Sequence, residues 1–207
     1  SNFKPERGKI MQKEKREERL EGKEKIRNIG VIGSRSLPKE YTNKVGQVVD
    51  DLLERGFHIA SGGALGTDQF CLERLLASGN ASKCAIFSAW KNYAGFPVKV
   101  RPFVREARQN GATLFWGLVQ GKEPHSIVRM ALLKRNEKLV QASYGVVAFI
   151  TAGSKGSLFT ISKAVKAHLP LVVFPVSCEL PTFQNVKWVA LRCGGCWEGG
   201  FKAVYLK

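Results

Sequence analysis

Short apolar runs alternate with amphipathic stretches over most of the chain. The apolar runs span four to seven residues, as expected for strands buried on both faces of a parallel sheet. The amphipathic stretches have the apolar spacing of helices, and the first of them stops at Gly56, a residue favoured just after a helix end. The pattern predicts strands at 29–33, 57–60, 83–88, 112–116, 144–150 and 171–174, and helices at 39–55, 67–77, 98–109, 125–142 and 156–167.

The regular succession of strands and helices predicts the fold class. Units of this length join parallel strands, and their helices cover both faces of the sheet. We therefore expect one Rossmann-like α/β domain at residues 28–207, with a mostly parallel sheet. Two further apolar runs, at 186–191 and 201–206, are candidates for antiparallel edge strands at the C-terminus.

The first 27 residues differ in character from the rest. Between Lys9 and Lys25, positive and negative side chains are densely mixed and apolar ones are few. Oppositely charged pairs at helical spacing favour an exposed helix, but so little apolar surface does not stabilise a packed domain. We expect residues 1–27 to form a solvated, charged arm or helix; a dedicated nucleic-acid-binding arm is the alternative.

The charge balance favours an anionic partner. The 207 residues include 33 Lys and Arg against 17 Asp and Glu, for a net charge of +16. Such a balance attracts polyanions, with nucleic acid as the first candidate, an anionic membrane surface as a weaker one and a merely solvated cationic surface as the alternative. No apolar run reaches the roughly 18 residues of a membrane span and no secretory segment precedes the domain, which predicts a cytoplasmic protein without a membrane partner.

The five cysteines do not indicate a disulfide framework, because their number is odd and their spacing irregular. Cys193 and Cys196 have the spacing of half a zinc site, but the second half is missing. We interpret them as free thiols. The sequence predicts no metal, no other cofactor and no catalytic pair of nucleophile and base.

Unusual residues follow the first predicted strand. In open parallel sheets, ligands bind beyond the carboxyl ends of the strands. Gly33 permits a tight turn there, Ser34 offers a hydroxyl, and Arg35 carries a planar donor fork suited to phosphate. An ordinary loop with an exposed arginine is the alternative interpretation.

A glycine-rich loop follows the second predicted strand and opens a helix. Glycines let backbone N–H groups approach an anion, and the dipole of a helix N-terminus favours negative charge. The loop is neither the dinucleotide-binding fingerprint nor a P-loop. It predicts anion binding by Ser61, Gly62, Gly63, Gly66, Thr67 and Asp68. Asp68 either caps the helix or contacts a ribose; a purely structural turn is the alternative.

A second such loop follows the most hydrophobic strand and also opens a helix. Two loops of this kind at one sheet edge would form a composite phosphate site. The residues concerned are Gly153, Ser154, Lys155, Gly156 and Ser157. The charged run at 134–138, on the preceding helix, has by itself the character of a solvated face.

Taken in order, these segments resemble the core of the DprA/Smf (DNA-processing protein A) family over residues 29–175. The resemblance implies a Rossmann-like fold, binding of single-stranded DNA in a basic pocket, self-association as a dimer or other homo-oligomer, and delivery of a recombinase partner to the strand. It also implies that Asn136, in the charged run, belongs to the site. The pocket residues it nominates are Arg35, Gly62, Gly63, Gly66, Arg135 and Ser157.

The chain departs from the family pattern in three ways. Glu137 stands where the family motif has a second arginine, so a positive charge is missing. The resemblance covers the core alone, so we expect this chain to lack the flanking domains that are common in the family on both sides of it. The loop at 61–68 has one more glycine than the family usually has. These departures weaken the expectation of recombinase loading more than that of phosphate binding.

Two other functions remain open. The loop at 62–67 also resembles that of the Lonely Guy phosphoribohydrolases, which hydrolyse nucleoside monophosphates, but the late loop lacks the carboxylate that such hydrolysis needs, leaving Asp68 and Glu73 as candidates. A nucleotide-binding sensor is the third possibility. Cations spread along a path favour a nucleic-acid strand, whereas evenly scattered cations favour a small ligand. Trp90, Tyr93 and Phe96 either stack on bases or close the edge of the core.

Overall fold

Eight strands form one sheet in the computed structural model, which describes residues 26–206. The strands are β1 Asn28–Gly33, β2 His58–Ser61, β3 Cys84–Phe87, β4 Thr113–Phe115, β5 Ser143–Ile150, β6 Leu171–Pro175, β7 Val186–Ala190 and β8 Phe201–Tyr205. The helices are α1 Thr42–Glu54, α2 Thr67–Ala77, α3 Arg101–Gln109, α4 His125–Gln141 and α5 Lys155–Lys166. Of the arm predicted for residues 1–27, residues 1–25 lie outside the described part of the chain.

The strand order is β4-β3-β2-β1-β5-β6-β8-β7, in which β1 to β6 pair in parallel and β8 pairs antiparallel with both β6 and β7. This confirms the predicted fold class. The chain runs outward from β1 to β4 and then returns to the other side of β1 with β5. The order therefore reverses between β1 and β5, the place where open α/β sheets bind their ligands.

The helices divide between the two faces of the sheet, and each face has its own core. Successive residues of a strand point to opposite faces. Val147 and Phe149 accordingly join the core under α1, α2 and α3, whereas Val146 and Ala148 join the core under α4 and α5. Burial on both faces explains why β5 is continuously apolar in sequence.

Two predicted helices begin three residues later than their apolar patterns indicate: α1, where Lys39–Tyr41 form a 3-10 turn, and α3. The helix expected at 98–109 starts at Arg101, with Pro102 in its first turn. A proline ring is tolerated in the first turn but clashes with the carbonyl four residues earlier when the helix extends further back. Among the described residues, no helix has the length and apolarity needed to cross a bilayer.

The packing predicts a large stability loss on Phe149→Ala. Phe149 is fully buried in the central strand β5 and stacks on Phe174 with ring centroids 4.6 Å apart. Removing a buried aromatic ring costs about 3–5 kcal/mol because apolar burial is lost and a cavity remains. The free energy of unfolding in urea measures the loss. Leu118→Ala is the control, because this side chain is 89% exposed and its removal should change stability by less than about 0.5 kcal/mol. Equal stabilities of the two variants would contradict the described core.

Candidate functional site

A cleft of about 680 Å³ opens at the reversal point of the sheet. Segments that follow β1, β2 and β5 meet there with α4, because the carboxyl ends of neighbouring parallel strands share one edge. The structure therefore brings together most of the residues predicted from sequence. Those that line the cleft are Gly33, Ser34, Arg35, Gly62, Asp68, Arg135, Asn136, Gly153, Ser154, Lys155, Gly156 and Ser157.

Hydroxyl groups join the loops that follow β1 and β5. The Ser34 and Thr151 hydroxyls share a 2.6 Å hydrogen bond, and Ser34 shares another, of 2.9 Å, with Ser36. Ser154 folds back on its own loop, since its Oγ accepts from the Thr151 N–H at 3.1 Å and donates to the Thr151 carbonyl at 2.8 Å. These bonds hold one rim of the cleft in a fixed shape.

Arg135 forms the floor of the cleft and is only 8% exposed. Its guanidinium lies directly over Gly62, where a Cβ atom would overlap Nη1. Nη1 donates a 3.4 Å hydrogen bond to the Phe87 carbonyl, whereas the buried Nε has no partner among the described residues. Burial lowers the pKa of Arg135, against the opposing effect of the Asp68 charge. A charge so poorly compensated favours an anion in the cleft.

Asp68 serves the loop before it. Its carboxylate is buried and accepts hydrogen bonds from the backbone N–H groups of Gly62 and Ala64, each at 3.1 Å. Burial raises the pKa of Asp68, although the Arg135 charge and these two N–H donors act in the opposite direction. The Gly62 N–H, which belongs to the loop predicted to bind an anion, is thus occupied by the chain's own carboxylate, as is that of Ala64.

Four residues of the sequence-derived site do not line the cleft: Ser61, Gly63, Gly66 and Thr67. The loop turns here with positive φ at both glycines, 64° and 71°, and Gly66 lines a separate depression described below. Gly63 packs against Phe96, and the Thr67 N–H donates to the Ser34 carbonyl at 3.2 Å. Ser61 and Thr67 are fully buried. This part of the predicted pocket shapes the loop and does not face the cleft.

The N-terminus of α5 forms another part of the cleft. The helix begins at Lys155 without a side-chain cap, and Gly156 and Ser157 follow in its first turn. The first N–H groups of a helix have no partner within the helix, and the dipole places partial positive charge there. The Asn136 amide donates to the Gly156 carbonyl at 3.4 Å, which joins this turn to α4 beside Arg135.

One face of α4 supplies cleft residues that the sequence analysis did not assign. His125, Arg129, Leu132 and Asn136 recur at intervals of four, three and four residues and all line the cleft. Helical periodicity counted back from Asn136 identifies them. The other unassigned side chains at the cleft include those of Ser36, Val128, Leu133, Phe159 and Thr160.

Glu137, which stands where the family motif has a second arginine, does not line the cleft. It forms a 2.5 Å salt bridge with Lys163 of α5 and is not a lining residue. Its carboxylate therefore connects the two helices on this face of the sheet. The departure from the family motif at Glu137 therefore lies outside the cleft lining.

A second depression, a groove of about 520 Å³, adjoins the cleft at Arg35. Its cations are Arg35, Lys39 and Lys99, and its apolar residues include Leu65 and Val98. Arg35 is exposed and lines both depressions. Positive side chains thus extend from the cleft along the surface instead of surrounding one point.

The aromatic residues near the groove belong to the core or its margin. Phe96 is 2% exposed, which excludes base stacking by its ring in this conformation. Tyr93 and Trp90 are partly buried against the same core, and Tyr93 contacts Trp116 edge-to-face with centroids 5.0 Å apart. The core-edge interpretation is correct for Phe96.

The cysteine pair near the C-terminus is separate from the cleft. Cys193 precedes the short 3-10 turn Gly195–Trp197 and Cys196 lies within it; neither residue lines the cleft. Within residues 26–206, no group of three or more His, Cys, Asp and Glu side chains is arranged to hold a metal ion.

Comparison with known proteins identifies relatives. The sequence model of the family described as DNA recombination-mediator protein A matches residues 19–190. The fold is similar to that of DNA processing protein A from Streptococcus pneumoniae, with 23% identity, a TM-score of 0.58, and coverage of 75% of this chain but 52% of that one. It is also similar to the Helicobacter pylori protein, whose structure is described for its single-stranded DNA binding mode, with 24% identity, a TM-score of 0.59, and coverage of 77% and 67%. No curated protein matches the chain.

The close packing of the loop behind the cleft predicts that Gly66→Ala is strongly destabilising. Gly66 has a φ of 71°, and a Cβ atom there would overlap the Ser34 carbonyl oxygen. The left-handed conformation costs an L-residue about 1–2 kcal/mol, and overpacking adds roughly 1–3 kcal/mol. Gly56→Ala is the matched control, because Gly56 has a φ of 80° with open space around its Cβ position, so only the conformational cost applies. Urea unfolding compares them; equal losses would refute the close contact.

Proposed function

Because this chain belongs to the DNA recombination-mediator protein A family, we propose that it binds single-stranded DNA along the cleft, Arg35 and the adjoining groove. The phosphate backbone of a flexible strand supplies one negative charge per nucleotide, so a binding surface must present cations at intervals. Membership in the family and the description of the H. pylori relative support this choice of ligand.

The observation that carries the proposal is the distribution of cations on both sides of Arg35. Arg129 and Lys155 line the cleft, whereas Lys39 and Lys99 line the groove. A site for one small anion needs one or two cations, and this arrangement offers more, spread over two connected depressions. The net charge of +16 adds long-range attraction for a polyanion.

Each part of the cleft has a proposed role towards the strand. Gly153 has open space around its Cβ position and allows its loop to approach a phosphate closely, and the first turn of α5 offers N–H groups to its oxygens. Gly33 lines the cleft and packs against the Phe149 carbonyl and Thr67. Arg35 and Lys155 supply salt-dependent attraction. Arg135 and Asn136 define the floor on which the strand rests.

Self-association, recombinase delivery and the division into an arm at 1–27 and a domain at 28–207 are further parts of the proposal. Family membership supports the first two. The outer hairpin of the sheet also exposes Val189 and Val204, apolar residues that favour association with another surface.

The cleft favours binding over hydrolysis. Asp68 is the one carboxylate among the described lining residues; it is buried, and its Oδ2 accepts the loop N–H groups of Gly62 and Ala64. Glu73 does not line the cleft. Cleavage of a glycosidic bond requires a carboxylate beside the ribose, and the one carboxylate at this cleft is buried and already bonded to the loop before it.

The first prediction about DNA binding concerns Arg35→Ala. This exposed side chain borders both depressions, so its loss should weaken binding of a fluorescent oligothymidylate about tenfold at low salt. The slope of log affinity against log salt concentration should fall by about 0.7, the value for one phosphate contact on a single strand. Fluorescence anisotropy over a salt series measures both quantities.

Arg192→Ala is the control for this experiment. Arg192 is exposed and lines neither depression, but its removal changes the net charge by the same amount. An equal effect of both variants would show that binding depends on overall charge and not on the Arg35 position. Absence of any binding by the unmodified protein at low salt would refute the proposal.

The second prediction about DNA binding concerns the lysines of the groove. Lys39 and Lys99 lie beyond Arg35 as seen from the cleft, so replacing both by alanine should weaken only strands long enough to reach them. We expect a loss of about tenfold for an oligothymidylate of about 12 nucleotides and less than about twofold for one of about four nucleotides. Competition anisotropy provides the measurement. Equal losses at both lengths would mean that the strand does not run from cleft to groove.

A further inference from the structure

The floor of the cleft holds a positive charge with few protein partners. Arg135 carries five N–H donors, and among the described residues its one hydrogen bond is the 3.4 Å contact of Nη1 with the Phe87 carbonyl. No carboxylate of those residues lies within 4 Å of its nitrogens, although Asp68 is close enough to act on it through space. The side chain is more than nine-tenths buried and lines the cleft. A desolvated guanidinium of this kind favours an anionic partner.

A second source of positive potential converges on the same place. The first turn of α5 has no side-chain cap and presents the N–H groups of Gly156 and Ser157 beside the cleft, whereas the Lys155 N–H donates to the Gly153 carbonyl at 2.7 Å. The exposed Lys155 side chain also lines the cleft. Asn136 follows Arg135 in α4, and its amide donates to the Gly156 carbonyl. This bond connects the first turn of α5 to the part of α4 that carries Arg135. A helix N-terminus and a guanidinium together form a binding site for phosphate.

Apolar side chains also line the cleft. They are Val128, Leu132 and Leu133 of α4 and Phe159 of α5, and His125 and Arg129 of α4 line it as well. The volume of about 680 Å³ falls within the range of small-ligand sites, roughly 300–1,000 Å³. A ligand that matches both the cationic and the apolar groups has a phosphate and a partly apolar body, as a nucleotide has.

We infer that the floor of the cleft binds the phosphomonoester of a nucleotide, supplied either by the 5′ end of a DNA strand or by a free nucleoside monophosphate. A terminal phosphate carries a charge between about −1.5 and −2 near neutral pH, as phosphoserine does, whereas an internal phosphodiester carries one negative charge. Arg135, Lys155 and the helix N-terminus together match the larger charge. The first source rests on the proposed function; the second does not.

The test compares four probes on the full chain. These are an oligothymidylate with a 5′-phosphate, the same strand with a 5′-hydroxyl, thymidine 5′-monophosphate and thymidine. We expect the phosphorylated strand to bind at least about tenfold more tightly than the hydroxyl strand, or the monophosphate to bind while thymidine does not. Anisotropy measures the strands and isothermal titration calorimetry measures the small molecules.

Two substitutions make the test specific. Arg135→Met removes the positive charge from the floor of the cleft. Lys155→Glu reverses the charge at an exposed position in the first turn of α5. An acidic side chain at that position stabilises the helix through its dipole. Lys155→Glu should therefore keep its thermal midpoint and lose the preference for phosphate. Lys187→Glu, on the outermost strand β7, makes the same change in net charge away from the cleft and should keep that preference.

The outcomes separate the sources and the two proposals. Preference for the phosphorylated strand alone identifies strand ends, and binding of the monophosphate alone identifies a free nucleotide. If both strands bind equally and the monophosphate does not bind, the inference fails while the proposed function stands. If the monophosphate binds and neither strand does, the proposed function fails and the inference stands. Equal behaviour of Lys155→Glu and Lys187→Glu would also overturn the inference.

Discussion

The contact of the Arg135 guanidinium with Gly62 determines the shape of the cleft. A side chain at Gly62 would occupy the space of Nη1, so the arginine reaches its buried position only because the loop presents bare backbone there. Asp68 holds that backbone in place by accepting the N–H groups of Gly62 and Ala64. Replacement of Gly62 or Asp68 would leave the buried Arg135 charge without this supporting loop, and such changes are costly in proteins.

The topology of the sheet explains how residues a hundred positions apart in sequence come to surround this contact. Because β1 lies between β2 and β5, the loops that follow all three strands reach the same edge. The helices that begin after β2 and β5 lie on opposite faces, so α2 and α5 approach the edge from two sides. At the start of α2 the Thr67 N–H donates to the Ser34 carbonyl, and Asp68 binds the N–H groups of the loop before the helix, whereas the first turn of α5 lines the cleft. The helix N-terminus that we propose for anion binding is therefore that of α5.

Sequence patterns predicted the elements well, because continuous apolar runs and helical spacing are direct consequences of burial. They predicted the site less completely. Glycine-rich loops indicate close backbone packing as readily as anion binding, and at Gly63 and Gly66 the packing partners are Phe96 and the Ser34 carbonyl of the chain itself. Local sequence does not reveal such partners, since both are distant along the chain. The face of α4 with His125 and Arg129 was missed because it is recognised only once Asn136 is known to face the cleft.

Burial divides the cations at this edge into two classes with different physical effects. Arg35, Lys39 and Lys99 are exposed or border open surface, so their attraction for phosphate is screened by salt and acts on any strand. Arg135 is shielded from water, so its interaction with an anion is screened less and depends strongly on geometry. Exposed charges thus favour encounter and sliding along a backbone, whereas a buried guanidinium beside a helix N-terminus discriminates between phosphates of different charge and shape. A surface that combines the two has the physical means to gather a strand by its backbone and to distinguish its end.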